Sequence, residues 1–307
     1  MSADDILSRA QPPADARIAY GSDANQFGEL RLPVSGQHSG ISDNSQHSAI
    51  SNQEKQNQKQ ERRKAQGQRQ AQGQRLHPVV MNIHGGFWRA KYDLLHASHL
   101  CAALTRAGVA TWNLEYRRVG NPGGAWPGTF EDITNGFRFL KQIAGKYRLD
   151  MTRVVVMGHS AGGHLAMALA GHQGGHAGTR ANGEPKLRGA VSLAGVVDLQ
   201  RAWELHLSND AVVEFLGGTP AQMPDHYREA DPMRLTVKIE QHLIHGVDDD
   251  VVPIGISRKY AELKQHEGEK VQLTELPKTG HFEVIDPESG VWPVVEKAVM
   301  SMAKGSL

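Results

Sequence analysis

The chain has 307 residues, a length that suits one α/β domain with a sizeable core. Its 34 basic and 33 acidic residues leave a net charge of +1, which gives no general argument for a nucleic-acid or membrane partner. The single cysteine, Cys101, excludes an intramolecular disulfide, and its place in a predicted helix indicates a small core residue rather than a nucleophile.

The N-terminal segment, residues 1–35, is expected to supply an edge strand of the sheet. Its first ten residues include Asp4 and Asp5 and lack the apolar stretch of a secretory signal, and no run in the chain is long enough for a membrane-spanning helix. Cytoplasmic residence is therefore the default expectation. The pattern FGELRLP at 27–33 predicts the edge strand, at an antiparallel start of the sheet.

Residues 36–75 interrupt the pattern with a low-complexity stretch rich in Ser, Gln and Asn. Almost no apolar residue follows Ile50, so this stretch cannot bury enough surface to offset its chain entropy. It is predicted to be a solvated, disordered insertion. A basic arm that binds nucleic acid or another surface is the alternative, but its basic residues are diluted by Gln and lack aromatic partners for stacking.

Residues 76–307 are predicted to form the main domain, in which short apolar strands alternate with helices. The clearest helix is 130–146, with an apolar face that includes Ile133, Phe137 and Leu140, and residues 94–107 are also predicted to be helical. This alternation predicts an α/β fold with a mostly parallel central sheet covered by helices on both faces. Residues 198–234 lack a strand pattern and are expected to form a small, helical, cap-like insertion. The predicted strands are 78–83, 109–114, 153–157, 189–194, 241–245 and 271–276.

The sequence GHSAG at 158–162 lies between a predicted strand and a predicted helix. A serine on such a turn projects its hydroxyl out of the sheet, above a helix N-terminus that favours negative charge. Ser160 is therefore the candidate nucleophile. A glycine-rich loop at 84–88, acidic residues at 248–250 and His281 each follow another strand, so all should meet at the carboxyl edge of the sheet.

The chain order Ser160, then Asp, then His281 predicts a catalytic triad. His281 is expected to take the serine proton, while the aspartate orients its imidazole. Asp249 is the preferred acid, with Asp248 and Asp250 as alternatives. The backbone N–H groups of Gly86, Phe87 and Ala161 are predicted to form an oxyanion hole. The candidate substrate-binding residues are Trp88, Trp203 and Phe215, although each is equally compatible with an ordinary core position.

Four motifs together resemble the α/β-hydrolase superfamily: HGGFW at 84–88, GHSAGGH at 158–164, HGVDDDVVP at 245–253 and GHF at 280–282. More narrowly, they resemble its bifunctional feruloyl and acetyl-xylan esterase-like and kynurenine formamidase (arylformamidase) members. NLEYRR at 113–118 and GGAWPGTFED at 123–132 resemble the feruloyl and acetyl-xylan group in particular. The resemblance covers residues 76–300 and the strand near 27–33. Phe87 stands where lipases of the HGGG type have a third glycine.

The resemblance implies an α/β-hydrolase fold and a serine esterase that cleaves short-chain acyl, acetyl or feruloyl esters through an acyl-serine intermediate, without a cofactor or metal. An arylformamidase-type amidase acting on N-formylkynurenine is the alternative. A prolyl-oligopeptidase-like peptidase and a non-catalytic module are further hypotheses. The expected partner is a small ester or amide substrate, with neither nucleic acid nor membrane. The sequence leaves the oligomeric state open.

Overall fold

The computed structural model describes residues 3–34, 76–174 and 184–305, so the predicted insertion at 36–75 lies outside the described residues. Within these ranges the chain forms an eight-stranded sheet in the order β1-β2-β4-β3-β5-β6-β7-β8. The pairs that involve β2 are antiparallel, and all strands from β4 to β8 in that order run parallel. The strands are β1 Ala16–Ala19, β2 Phe27–Arg31, β3 His77–Ile83, β4 Ala110–Leu114, β5 Leu149–His159, β6 Leu187–Leu193, β7 Glu240–Gly246 and β8 Val271–Leu276.

The antiparallel start of the sheet is confirmed, but the predicted edge position of β2 is wrong. The four-residue strand β1 pairs with the outer side of β2, so β1 forms the edge. Residues of β1 alternate between half-buried and exposed, and its side chains therefore give only a weak apolar signal. The position of β1 in the sheet is therefore set by its pairing with β2 rather than by a strong apolar pattern of its own.

The helices surround the sheet as the alternation predicted. In chain order they are α1 Ala3–Leu7, α2 Ser98–Arg106, α3 Gly128–Tyr147, α4 Ala161–Gly174, α5 Leu199–Glu204, α6 Ala211–Leu216, α7 Pro224–Ala230, α8 Gly255–His266 and α9 Trp292–Lys304. The predicted helix 94–107 is divided into a short 3₁₀ turn, Leu94–Ala97, and α2. The Asp93 side chain caps the start of the turn by accepting from Leu95 N. The cap-like stretch contains α5 to α7 and lacks strands, as predicted.

Side chains alternate across the sheet and form a core on each face. On β3, Met81 and Ile83 pack in one cluster with Phe137 of α3, whereas Val80 packs in the other with Leu104 of α2 and Val299 of α9. This two-sided burial explains why β3 reads as a continuous apolar run. The strand ends are thereby held at fixed positions along one edge.

Candidate active site

Ser160 occupies a sharp turn between β5 and α4. Its φ is +55°, a left-handed value that is unusual for a residue other than glycine. Its N–H donates to Leu193 O (2.9 Å), and its own carbonyl accepts from the N–H groups of His164 and Val196 (both 3.2 Å). These bonds hold the turn against the neighbouring strand and against α4, so the backbone conformation is set by its surroundings.

The glycines beside the serine are required by close backbone approach. A Cβ on Gly158 would lie 2.1 Å from Gly162 O, and a Cβ on Gly162 would lie 2.0 Å from Ile83 O. No side chain fits in either gap, which is the physical reason for glycine on both sides of this turn.

Asp249 is the aspartate that contacts His281. Its Oδ2 lies 2.7 Å from His281 Nδ1, and both side chains are buried. Asp248 and Asp250 are exposed. Asp249, which the sequence motif favoured over its two neighbours, is therefore the aspartate that can orient the imidazole.

The Asp249 carboxylate is held on both oxygens. Oδ1 accepts from the N–H groups of Val251 (2.9 Å) and Val252 (2.8 Å), and His245 Nε2 lies 3.1 Å from Oδ2. Burial alone would raise the pKa of Asp249, but the hydrogen bonds from His245 and His281 hold that pKa well below its ordinary range. The carboxylate is thus ionised and can stabilise a positive charge on His281.

His281 lies beside the serine turn. The ring of His159, the residue before Ser160, is 4.5 Å from the ring of His281 between centroids. His159 Nε2 also lies 2.9 Å from the backbone oxygen of His281. The loop after β8 is thus joined directly to the end of β5.

The glycine-rich loop packs against the same turn. A Cβ on Gly85 would lie 2.8 Å from His159 O and 3.0 Å from Ser160 Cβ. The next residues, Gly86 and Phe87, have φ values of +106° and +49°. Across the described part of the chain, the N–H groups of Gly86, Phe87 and Ala161 donate to no protein acceptor. They remain candidates for an oxyanion hole.

Glu115 contacts His84 at the start of this loop, a role that the sequence analysis did not assign. Its buried carboxylate lies 3.0 Å from His84 Nε2 and accepts from Leu94 N (3.1 Å) and Tyr116 N (3.0 Å). It also forms an ion pair with Arg118 (2.9 Å). A carboxylate at the end of a buried strand, followed by Tyr and Arg in NLEYRR, was the available signal.

The three aromatic residues proposed to bind substrate have different environments. Trp88 and Phe215 are 1% and 0% exposed and stack at 4.7 Å between ring centroids, which places both in the core behind the loop. Trp88 Nε1 also donates to His164 Nδ1 (3.2 Å). Trp203 is half-buried. Substrate contact stays a prediction for all three, and Trp203 is the one that retains exposed surface.

His164 and His172 lie near each other in the sequence, as metal-binding histidines can, but each bonds to a backbone carbonyl. His164 Nε2 donates to Ala230 O (3.0 Å), and His172 Nε2 donates to Glu229 O (2.8 Å), while His176 lies outside the described residues. Within the described ranges, no group of three metal-ligating side chains comes together. In the same ranges, no helix combines the length and apolar character needed to cross a bilayer.

The mostly parallel sheet, the strand–serine–helix turn and the flanking helices define the α/β-hydrolase fold class. Residues 68–263 match the BD-FAE family model, and the chain belongs to the BD-FAE family. The matched region includes the loop at 84–88, Ser160 and Asp249, and it ends before His281.

Curated relatives carry esterase names. Esterase LipC of Mycobacterium tuberculosis is 27% identical over 224 residues, covering 68% of this chain and 54% of the relative. A probable isoprenylcysteine alpha-carbonyl methylesterase of Oryza sativa subsp. japonica is 25% identical, covering 69% of this chain and 54% of the relative. The chain thus spans about half the length of these relatives.

Solved structures share the fold over nearly the whole chain. A truncated carbohydrate esterase from gut microbiota has a TM-score of 0.71 at 19% identity, covering 96% of this chain and 97% of its own. An inhibited Esterase B from Lactobacillus rhamnosis has a TM-score of 0.72 at 17% identity, covering 98% and 92%. At these identities the likeness concerns the fold.

Proposed function

We propose that this chain is a carboxylic ester hydrolase in which Ser160, His281 and Asp249 act as nucleophile, base and orienting acid. The observation that carries the proposal is the buried 2.7 Å contact between Asp249 Oδ2 and His281 Nδ1, next to the left-handed turn of Ser160. The esterase names of curated relatives support the same reaction class.

The proposed reaction has two halves. Ser160 Oγ attacks the acyl carbon as its proton passes to His281 Nε2, and the carbonyl electron pair moves onto oxygen. The N–H groups of Gly86, Phe87 and Ala161 receive that oxyanion. His281 then protonates the departing alcohol, which leaves an acyl-serine. Water repeats the sequence with the same base and releases the carboxylic acid, so that the free serine is restored.

Short-chain acyl, acetyl or feruloyl esters are the proposed substrates. The observation that favours small or flat acyl groups over bulky ones is the burial of Ser160, which is 2% exposed. A substrate panel tests this proposal. It contains p-nitrophenyl esters of increasing chain length, ethyl ferulate, acetylated xylan and N-formylkynurenine. If the protein cleaves N-formylkynurenine but does not cleave p-nitrophenyl acetate, the formamidase alternative is assigned instead.

The decisive variant is Ser160→Ala. Ester hydrolysis should fall by about a thousandfold or more, because removal of the nucleophile leaves only the remaining binding and oxyanion groups. Labelling by a fluorophosphonate probe should disappear, while the melting temperature stays close to that of the wild type. Appreciable hydrolysis by this variant would refute the nucleophile assignment, and an unlabelled wild-type protein would favour a non-catalytic module.

A further inference from the structure

Two buried histidines outside the triad bind backbone atoms of the site. His96 Nε2 accepts from Gly85 N (3.2 Å), at the start of the oxyanion loop. His159 Nε2 donates to the backbone oxygen of His281 (2.9 Å). The two rings meet edge to face, with 5.9 Å between centroids. Together they reach from the oxyanion loop to the loop of the base.

The bonding partners fix the tautomer of each ring. A backbone N–H only donates, so His96 Nε2 must carry a lone pair, whereas a carbonyl only accepts, so His159 Nε2 must carry the proton. Burial lowers the pKa of His96 to about 3 and holds the pKa of His159 well below its ordinary value. Both rings are therefore neutral at neutral pH, with opposite tautomers.

The site needs such connections because its parts come from separate strands. The oxyanion loop follows β3, the nucleophile follows β5, and the base follows β8, which is three positions from β5 in the sheet. Gly85 fits into a gap where a Cβ would lie 3.0 Å from Ser160 Cβ. A shift of this loop or of the His281 backbone would change the distances on which acyl transfer depends.

We propose that His96 and His159 are positioning residues for acyl transfer at Ser160, a role that rests on the proposed esterase function. His96 holds the Gly85 backbone and with it the N–H groups that follow. His159 holds the His281 backbone beside the nucleophile. Neither ring exchanges a proton with the substrate. Their contribution is geometric, and a misplacement of about 1 Å in such a site can cost roughly a hundredfold in rate.

Amide side chains of two lengths distinguish this role from simple packing. The Gln amide reaches the place of an imidazole Nε2, whereas the Asn amide reaches only that of Nδ1. Each histidine is therefore changed to Gln and to Asn. His242→Asn is the matched control, because His242 is also buried and bonds through Nε2 to Thr274 Oγ1 (2.9 Å), an atom that belongs to neither the oxyanion loop nor the loop of the base. The measurements are kcat and KM with p-nitrophenyl acetate, the rate of fluorophosphonate labelling, and the melting temperature.

The two Asn variants should lose about tenfold or more in kcat and in labelling rate, with KM within about twofold of the wild type. The two Gln variants should retain kcat within about threefold, since the hydrogen bond is restored, and His242→Asn should match the wild type. Equal kcat in the Gln and Asn variants would overturn the proposal, and so would loss of folding in both, which would indicate a structural role. A wild-type protein that is neither active nor labelled would instead refute the esterase function itself.

Discussion

The carboxylate of Asp249 reaches His281 across 2.7 Å from Oδ2 to Nδ1, although the two residues are 32 positions apart in the chain. The same oxygen also contacts His245, and the other oxygen binds two backbone N–H groups. These bonds outweigh the effect of burial and keep the pKa of Asp249 low. The negative charge is thus available throughout the neutral and weakly acidic range.

Asp249→Asn should lower kcat by roughly a thousandfold to ten-thousandfold, because an amide facing Nδ1 favours the wrong imidazole tautomer and cannot stabilise the imidazolium. The measurement is kcat/KM with p-nitrophenyl acetate over the pH range of about 5 to 9. The lowered pKa of Asp249 means that the wild-type profile should contain no step from this carboxylate in that range, since the acid stays ionised above its pKa.

Asp248→Asn and Asp250→Asn are the matched controls, since both side chains are exposed neighbours of the proposed acid. Each should keep kcat within about twofold, because an exposed charge contributes little to the site. A loss in either control as large as that of Asp249→Asn would show that the charge of the whole loop, rather than one carboxylate, supports the reaction.

The chain order of strands and helices was sufficient to predict the parallel sheet and the edge where the candidate residues meet. Ser160 and its glycines carry a local signal, because the turn itself requires those residue types. The short strand β1 was missed, since its position depends on pairing with β2 rather than on an apolar run.

The sequence did not show which partners the supporting residues of the site contact over longer distances in the chain. Glu115 contacts His84 across 31 positions, and His96 contacts Gly85 across 11, with no periodic pattern to reveal either contact. Trp88 and Phe215, the predicted substrate-binding residues, stack on each other in the core, and their contact with substrate stays a prediction. An apolar pattern has the same form for a core aromatic and for a pocket wall, so only the fold separates them.

Gly162→Ala should destabilise the protein by about 2 kcal/mol or more, because overpacking against backbone cannot be relieved by a rotamer change. The added Cβ would lie 2.0 Å from Ile83 O and 2.5 Å from His84 O, at the end of β3. The free energy of unfolding is measured in urea. The change should also lower kcat, since the clash moves the strand end that precedes the oxyanion loop.

Gly145→Ala provides the control for that substitution. Gly145 is exposed near the end of α3, and a Cβ there meets no atom within 4 Å. Alanine should stabilise the helix by about 0.5–1 kcal/mol through its better helix propensity, with kcat unchanged. Equal effects of the two alanines on stability would contradict the close approach at Gly162.

Asp231 is a buried acid whose charge opposes folding. It is 1% exposed, and its Oδ1 accepts from Leu199 N (3.3 Å) and Met233 N (3.1 Å). Burial, together with the nearby charge of Asp198, raises the pKa of Asp231 to about 6. The folded state therefore binds a proton more tightly than the unfolded chain, whose aspartates titrate near pH ~4. Stability from this group is complete below about pH 4 and is lost as the pH rises through about 6.

Asp231→Asn should therefore stabilise the protein above about pH 6, by less than about 3 kcal/mol. The amide carries no charge and its oxygen can still accept from Leu199 N and Met233 N, while the N–H of Gln200, which also bonds to the carboxylate, loses part of its interaction. Below about pH 4 the variant and the wild type should have nearly the same free energy of unfolding, since Asp231 is then protonated. Urea unfolding at about pH 4, 6 and 8 measures the difference, with the exposed Asp248→Asn as the charge control. A difference that stays constant over this range, or a variant that is less stable at the highest pH, would show that the buried charge does not oppose folding.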